Sequence, residues 1–138
     1  MTEMPLRALI VEDEAVTRVL LEQVLESLDF AVDLAVSGEE AVAQLAVHDY
    51  DVMLLDIVLP KMSGIDVMEW LGRQRPRTLG CIIVVTGLDI REIRSLFPTV
   101  HETLSKPVLP GRLREAVRSC AGPRNADSAR IDERITPR

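Results

Sequence analysis

Short apolar runs recur along the chain, each closed off by residues that end regular structure. Val52 to Leu55 and Cys81 to Val85 are apolar at every position, the pattern of strands buried on both faces of a parallel sheet. Leu6 to Val11 and Phe30 to Val36 read as further strands, and Val100 to Ser105 as a more polar edge strand. Between the runs, apolar residues return at spacings of three and four, which predicts helices. Val16, Val19, Leu20, Val24 and Leu28 mark the first, and Ala41, Val42, Leu45 and Ala46 the second. Val67, Met68 and Leu71 mark a third, over Ile65 to Gln74, with Trp70 at a half-buried edge. Ile90, Ile93, Leu96 and Phe97 mark a short fourth, and Leu113, Ala116, Val117 and Cys120 a fifth. Ser37-Gly38, Ser63-Gly64, Arg75-Pro76, Thr86-Gly87, Pro98 and Lys106-Pro107 supply the breaks. Ser37, with Glu40 three residues on, makes a capping-box signature.

Strands alternating with helices predict an α/β domain, a five-stranded parallel sheet wound on both faces by five helices. Right-handed crossovers remove most other topologies. The domain is expected over residues 4–121. Residues 122–138 are polar and charged, without apolar periodicity, and are expected to be a disordered tail or a linker.

At 138 residues the chain suits a single core, and 47% hydrophobic with 28% charged residues is an ordinary balance. No apolar run is long enough for a bilayer. The start, MTEMPLRALIVEDE, lacks the basic residues and apolar stretch of a signal peptide, so a cytoplasmic address is expected. Cys81 and Cys120 lack metal-ligand spacing and are expected to be reduced packing residues. A net charge of −6 disfavours nucleic-acid binding.

The chemistry lies at the strand ends. The carboxyl edge of such a sheet, where ligands bind, would gather Glu12 and Asp13, Asp56, Thr86 and Lys106. Carboxylates about 4 Å apart repel by ~4 kcal/mol at an effective dielectric of about 20. A hard cation relieves that, and Mg²⁺ is commonly held by one or two carboxylates with water and phosphate oxygens. Lys106 adds a compact positive charge and Thr86 a hydroxyl. The set suits phosphoryl transfer onto Asp56, in which positioning and charge neutralisation matter most. Singly, each residue also has an ordinary role: Glu12 and Asp13 as helix caps, Thr86 as a strand-end hydroxyl, Lys106 as a surface lysine. His48 and His101 read as surface residues. Arg112, Arg114 and Arg118 read as a solvated helix face, with a partner surface as the alternative.

In order and approximate spacing, IVEDE, LLDIVLPKMSG, VVTG and LSKP resemble the receiver domain of two-component response regulators. The resemblance implies a flavodoxin-like sheet in the order 2-1-3-4-5 and a phosphoacceptor at Asp56. It implies Mg²⁺ ligation by Asp13, Asp56 and the backbone carbonyl of Val58, with Glu12 acting through water. It further implies Thr86 as the switch hydroxyl, Lys106 as phosphate partner, and a cis Lys106-Pro107 bond. The donor would be a sensor histidine kinase or a phosphotransfer protein, and the output altered binding of a downstream protein, with no nucleic acid or membrane contacted directly. No external substrate turnover is expected.

The chain departs from the family at several points. The usual Tyr or Phe three residues before the lysine is Thr103, the Phe common after Lys-Pro is Val108, and the interval from Thr86 to Lys106 is short. Val58 and Leu88 occupy positions that in the family influence acyl-phosphate hydrolysis, and apolar side chains there predict a long-lived phosphoryl group. A docking domain indifferent to phosphate is the alternative. A Mg²⁺-dependent phosphohydrolase would need a second acid soon after Asp56, where Ile57, Val58 and Leu59 stand instead.

Overall fold

The computed structural model describes residues 5–74 and 79–120. Its strands are β1 (Arg7–Val11), β2 (Ala31–Ala35), β3 (Tyr50–Leu55), β4 (Leu79–Thr86) and β5 (Glu102–Ser105). The helices are α1 (Ala15–Ser27), α2 (Gly38–Val47), α3 (Gly64–Gln74), α4 (Ile90–Leu96) and α5 (110–120). All strand pairs are parallel, in the order β2-β1-β3-β4-β5, so the expected 2-1-3-4-5 sheet is present. The predicted stop at Arg75-Pro76 and the expected tail at 122–138 lie outside the described residues.

The unbroken apolar runs are explained by alternation through the sheet. Ala8, Ile10, Val52, Leu54, Ile83 and Val85 face one way, against Leu21, Val24 and Leu25 of α1 and Leu113, Ala116 and Val117 of α5. Leu9, Val11, Met53 and Leu55 face the other way, against Ala41 and Leu45 of α2 and Val67 and Leu71 of α3. Val84 continues that second face beneath Ile93 of α4. Each fully buried Leu or Ile stabilises the fold by roughly 1.5–3 kcal/mol, so both layers are needed.

Several expected core positions differ. Val16 and Val19 are 80% and 48% exposed, because α1 turns Leu21, Val24 and Leu25 inward instead. Ala46 of α2 and Leu96 of α4 also face solvent. Helix α4 has seven residues and buries only Ile93. The capping box of α2 forms: Ser37 Oγ accepts from Glu40 N at 3.1 Å, and Glu40 Oε1 accepts from Val36 N at 2.9 Å.

The cysteines are not two thiols as expected. Cys81 and Cys120 are joined in a disulfide, with Cα atoms 6.4 Å apart. Helix α5 runs back antiparallel to the strands. Its inward face therefore brings its last turn against the start of β4, a meeting that their 39-residue separation conceals.

Gly64 fixes the turn after β3. Its N–H donates to the Ile57 carbonyl at 2.8 Å. A Cβ there would strike the Asp56 carbonyl oxygen and come within 2.6 Å of Ile57 Cα. Gly72, in α3, has open space instead. Gly64→Ala should lower stability by about 1–3 kcal/mol, while Gly72→Ala should raise it by about 0.5–1 kcal/mol. Urea unfolding of the two variants checks the opposite signs.

Candidate functional site

Strand register builds the site. Val11 lies opposite Leu55, so Glu12 and Asp56 leave adjacent strands together. The ladder runs one step further on both sides, with Glu12 N donating to Ala35 O and Asp56 N to Val11 O, each at 3.0 Å. On the far side Thr86 pairs with Ser105, and Lys106 N donates to Thr86 O at 2.9 Å. Lys106-Pro107 is cis, as the resemblance implied.

These ends put Lys106 Nζ 3.0 Å from Asp56 Oδ2 and 3.1 and 3.0 Å from the two Glu12 carboxylate oxygens. Glu12 is wholly buried and Asp56 is 3% exposed. Asp13 is exposed, yet its carboxylate shares a cluster with those of Glu12 and Asp56, one oxygen from each lying within 4.8 Å of the others. Asp56 Oδ1 accepts from Val58 N at 3.1 Å, which fixes its rotamer. Thr86 is buried, its Oγ1 accepting from Leu88 N at 3.1 Å. The open cleft has a volume of about 320 Å³ and is lined by Glu12, Asp13, Glu14, Asp56, Val58, Gly87 and Lys106.

Burial raises the Glu12 pKa above the ordinary carboxylate value, and neighbouring Asp56 adds to it, against the opposing pull of Glu14 N–H and Lys106. Burial draws Lys106 down, but its bonds to Asp56 and Glu12 outweigh that and raise it. Lys106 is thus a fixed cation across neutral pH. Glu12 Oε1, although 3.0 Å from Nζ, makes no well-formed hydrogen bond and is a buried oxygen with spare accepting capacity. Carboxylates gathered in this way, with one oxygen unsatisfied, fit a hard divalent cation.

The structure brings together the side chains of Glu12, Asp13, Asp56 and Lys106, placed at this edge from the sequence, while Thr86 ends the neighbouring strand β4 with its hydroxyl turned to Leu88 N. It adds Glu14, whose carboxylate lies 3.8 Å from Lys106 Nζ, and Arg18, which donates to the carbonyls of Glu12 and Asp13 at 3.1 and 3.3 Å. The acidic run contained Glu14 already. Arg18 sits one helical turn beyond it, the only signal available for its role. Thr103, where the family has its aromatic residue, is 2% exposed and its Oγ1 has no partner. It borders a cleft of about 300 Å³ between α4 and α5. Arg94 of α4 reaches across to the Thr103 carbonyl at 3.3 Å. His48 and Tyr50 meet edge to face, and His101 bonds Ser119, so neither histidine joins the acids.

A doubly wound domain with acids and a lysine converging at its carboxyl edge defines a class, and comparison with known proteins names it. The family model for the response regulator receiver domain matches residues 8–118, and the chain belongs to that family. It is 35% identical over 131 residues to the response regulator protein PilR of Pseudomonas aeruginosa, covering 94% of this chain and 29% of PilR. It is 35% identical over 126 residues to the Regulator of RpoS of Escherichia coli, covering 91% of this chain and 37% of that protein. The chain therefore spans about a third of the length of these relatives. Among solved structures, a CheY-like receiver domain protein from Methanospirillum hungatei superposes with a TM-score of 0.73 at 29% identity, covering 84% of this chain and 93% of that one. The receiver domain of a sensor histidine kinase from Pseudomonas aeruginosa, with magnesium coordinated in its active-site cleft, gives 0.75 at 27% identity, covering 86% of this chain and 99% of that one. Among the described residues no helix is long and apolar enough to cross a membrane.

The raised Glu12 pKa carries a sign. Above 4.5 and up to its folded value, the native state holds a proton that the unfolded chain has released, so stability falls as pH rises through that window. Lys106 acts in the same direction at the alkaline end: its contribution is complete below 10.5 and is lost as pH climbs through the raised folded value. Glu12→Gln should flatten the acid-side decline and raise the urea midpoint at neutral pH in chelator. Equilibrium unfolding across pH checks this, and a lower midpoint for the variant would contradict it.

Proposed function

We propose that the domain accepts a phosphoryl group on Asp56 from a phosphohistidine of a sensor kinase or phosphotransfer protein and answers by changing what it binds. The observation that supports this best is Lys106 Nζ, 3.0 Å from Asp56 Oδ2, beside the Glu12 and Asp13 carboxylates. Asp13, Asp56 and the Val58 carbonyl would hold Mg²⁺, with Glu12 reaching it through water. When bound, the ion neutralises charge spread over the phosphoryl oxygens.

In the transfer itself the Asp56 carboxylate attacks phosphorus, the P–N bond of the donor breaks, and the imidazole leaves. Val58 N–H orients the attacking carboxylate through Oδ1. Lys106 stays charged throughout and passes from a carboxylate pair to a phosphoryl oxygen. Thr86 can exchange its bond with Leu88 N–H for one to the phosphoryl group, and that exchange moves the loop leading into α4. Because Thr103 is small, the response would travel through Thr86 and α4 rather than through a rotating ring. Receiver domains are typically signalling modules rather than enzymes, and the domain, over residues 4–121, would turn over nothing but its own acyl phosphate.

Val58 and Leu88 are 56% and 44% exposed. They border the loops around Asp56 with side chains that cannot orient an attacking water. The phosphoryl group should accordingly persist for minutes rather than seconds, and Val58→Asn should shorten its lifetime several-fold, measured by phosphate release after donor removal.

Incubation with acetyl phosphate and Mg²⁺, followed by intact-mass and peptide analysis, tests the central reading. One phosphoryl group is expected on Asp56, and none on Asp56→Asn. Labelling elsewhere, or no labelling, would leave the docking alternative. Asp13→Asn should weaken Mg²⁺ binding and, in chelator, raise stability by at most about 1 kcal/mol, since Asp13 is exposed and screened. Metal titration and thermal unfolding check both parts.

A further inference from the structure

Cys81 and Cys120 are the chain's two cysteines, and they differ in access. Cys81 is half-buried and lines an open cleft of about 290 Å³ with Leu79, Gly80, Ile82, Thr99 and His101. Cys120 is 9% exposed and sits in the core with Leu113, Ala116 and Val117 of α5. Their Cα separation of 6.4 Å lies within the range that a disulfide spans. The closed loop contains β4, α4, β5 and α5, the half of the domain that carries Thr86, Lys106 and the Arg94 bond between α4 and β5.

We propose that Cys81 and Cys120 form a reversible thiol–disulfide switch, a second input that fixes α5 to the sheet when closed. It closes by exchange with a low-molecular-weight disulfide such as oxidised glutathione and opens by the reverse exchange with two equivalents of the corresponding thiol. The Cys81 thiolate, reached through the cleft, attacks a sulfur of that disulfide, forming a mixed disulfide and releasing one thiolate. The Cys120 thiolate then attacks Cys81 Sγ, forming the internal bond and releasing the second. The protons lost by the two cysteines end on the two small thiols, so two electrons pass from the protein to the oxidant. Disulfides in intracellular proteins are mostly transient and redox-sensing, which suits a pair of which one residue lines an open cleft and the other is 9% exposed.

The clamp acts at the end of the sheet opposite the acids. Cys81 lies near the start of β4 and Thr86 at its end, while α5 leads from the Lys106 turn back to Cys120. Closure therefore restrains α5 at its far end without touching Asp56, and the effect falls on the α4–β5–α5 side of the domain.

The full chain equilibrated in glutathione buffers of increasing oxidised fraction, then acid-quenched, alkylated and weighed, tests this. Both thiols should vanish together with no glutathione retained. Cys120→Ser should keep one glutathione on Cys81, whereas Cys81→Ser should take up glutathione several-fold more slowly. Hydrogen exchange should be several-fold slower over residues 110–120 in the closed form, with β1 and β3 unchanged. Two free thiols in fully oxidised glutathione, equal adduct rates in the two variants, or equal exchange in both forms would each overturn the proposal. These readouts involve thiols and amides only, so they stand or fall separately from phosphorylation.

Discussion

A single ammonium group held between two buried carboxylates is the constraint on which the upper edge of the molecule depends. Asp56 and Glu12 are nearly or wholly out of water. Ionised carboxylates in that position are costly unless paired, and Lys106 supplies the pairing from a strand at the edge of the sheet. The lysine also joins the two halves of the domain, since the acids leave β1 and β3 while it leaves β5. The pairing is incomplete: one Glu12 oxygen is under-satisfied and Asp13 adds another negative charge nearby. The site is thus an electrostatic compromise, and its carboxylates fit a hard divalent cation.

The rest of the fold makes that compromise possible. Two apolar layers bury both faces of the sheet and leave only strand ends for polar chemistry. The register of β1 on β3 and of β4 on β5 places those ends at one level. Gly64 lets the chain turn under Asp56 closely enough for the loop to bond back to Ile57. Packing, register and one missing Cβ act together to hold a carboxylate where charge is hard to maintain.

Much of this was legible in the sequence for physical reasons. Runs such as Val52 to Leu55 have no polar position, so they can only be strands covered on both sides, and an acid directly after such a run must lie at a sheet edge. The Ser37–Glu40 pairing was readable because a capping box is local. The inward face of α1 was harder. Its sequence offers apolar residues around much of the helix, and only the sheet decides that Leu21 and Leu25 go in while Val16 goes out. The disulfide was not legible at all, because it depends on where the end of α5 meets β4 in space. Thr103 was visible as a departure, but its burial with an unsatisfied hydroxyl appears only once β5 is packed beneath α4.

Helix α4 is the element with least to hold it. Seven residues long, it rests on Ile93 and on the side-chain cap from Asp89, whose carboxylate accepts from Arg91 N. Segments with few buried contacts occupy the low end of the spectrum of local opening free energies. This segment follows directly on the loop that Thr86 anchors. Among the described residues, a seven-residue helix with a single buried side chain thus follows the loop anchored by a fully buried hydroxyl.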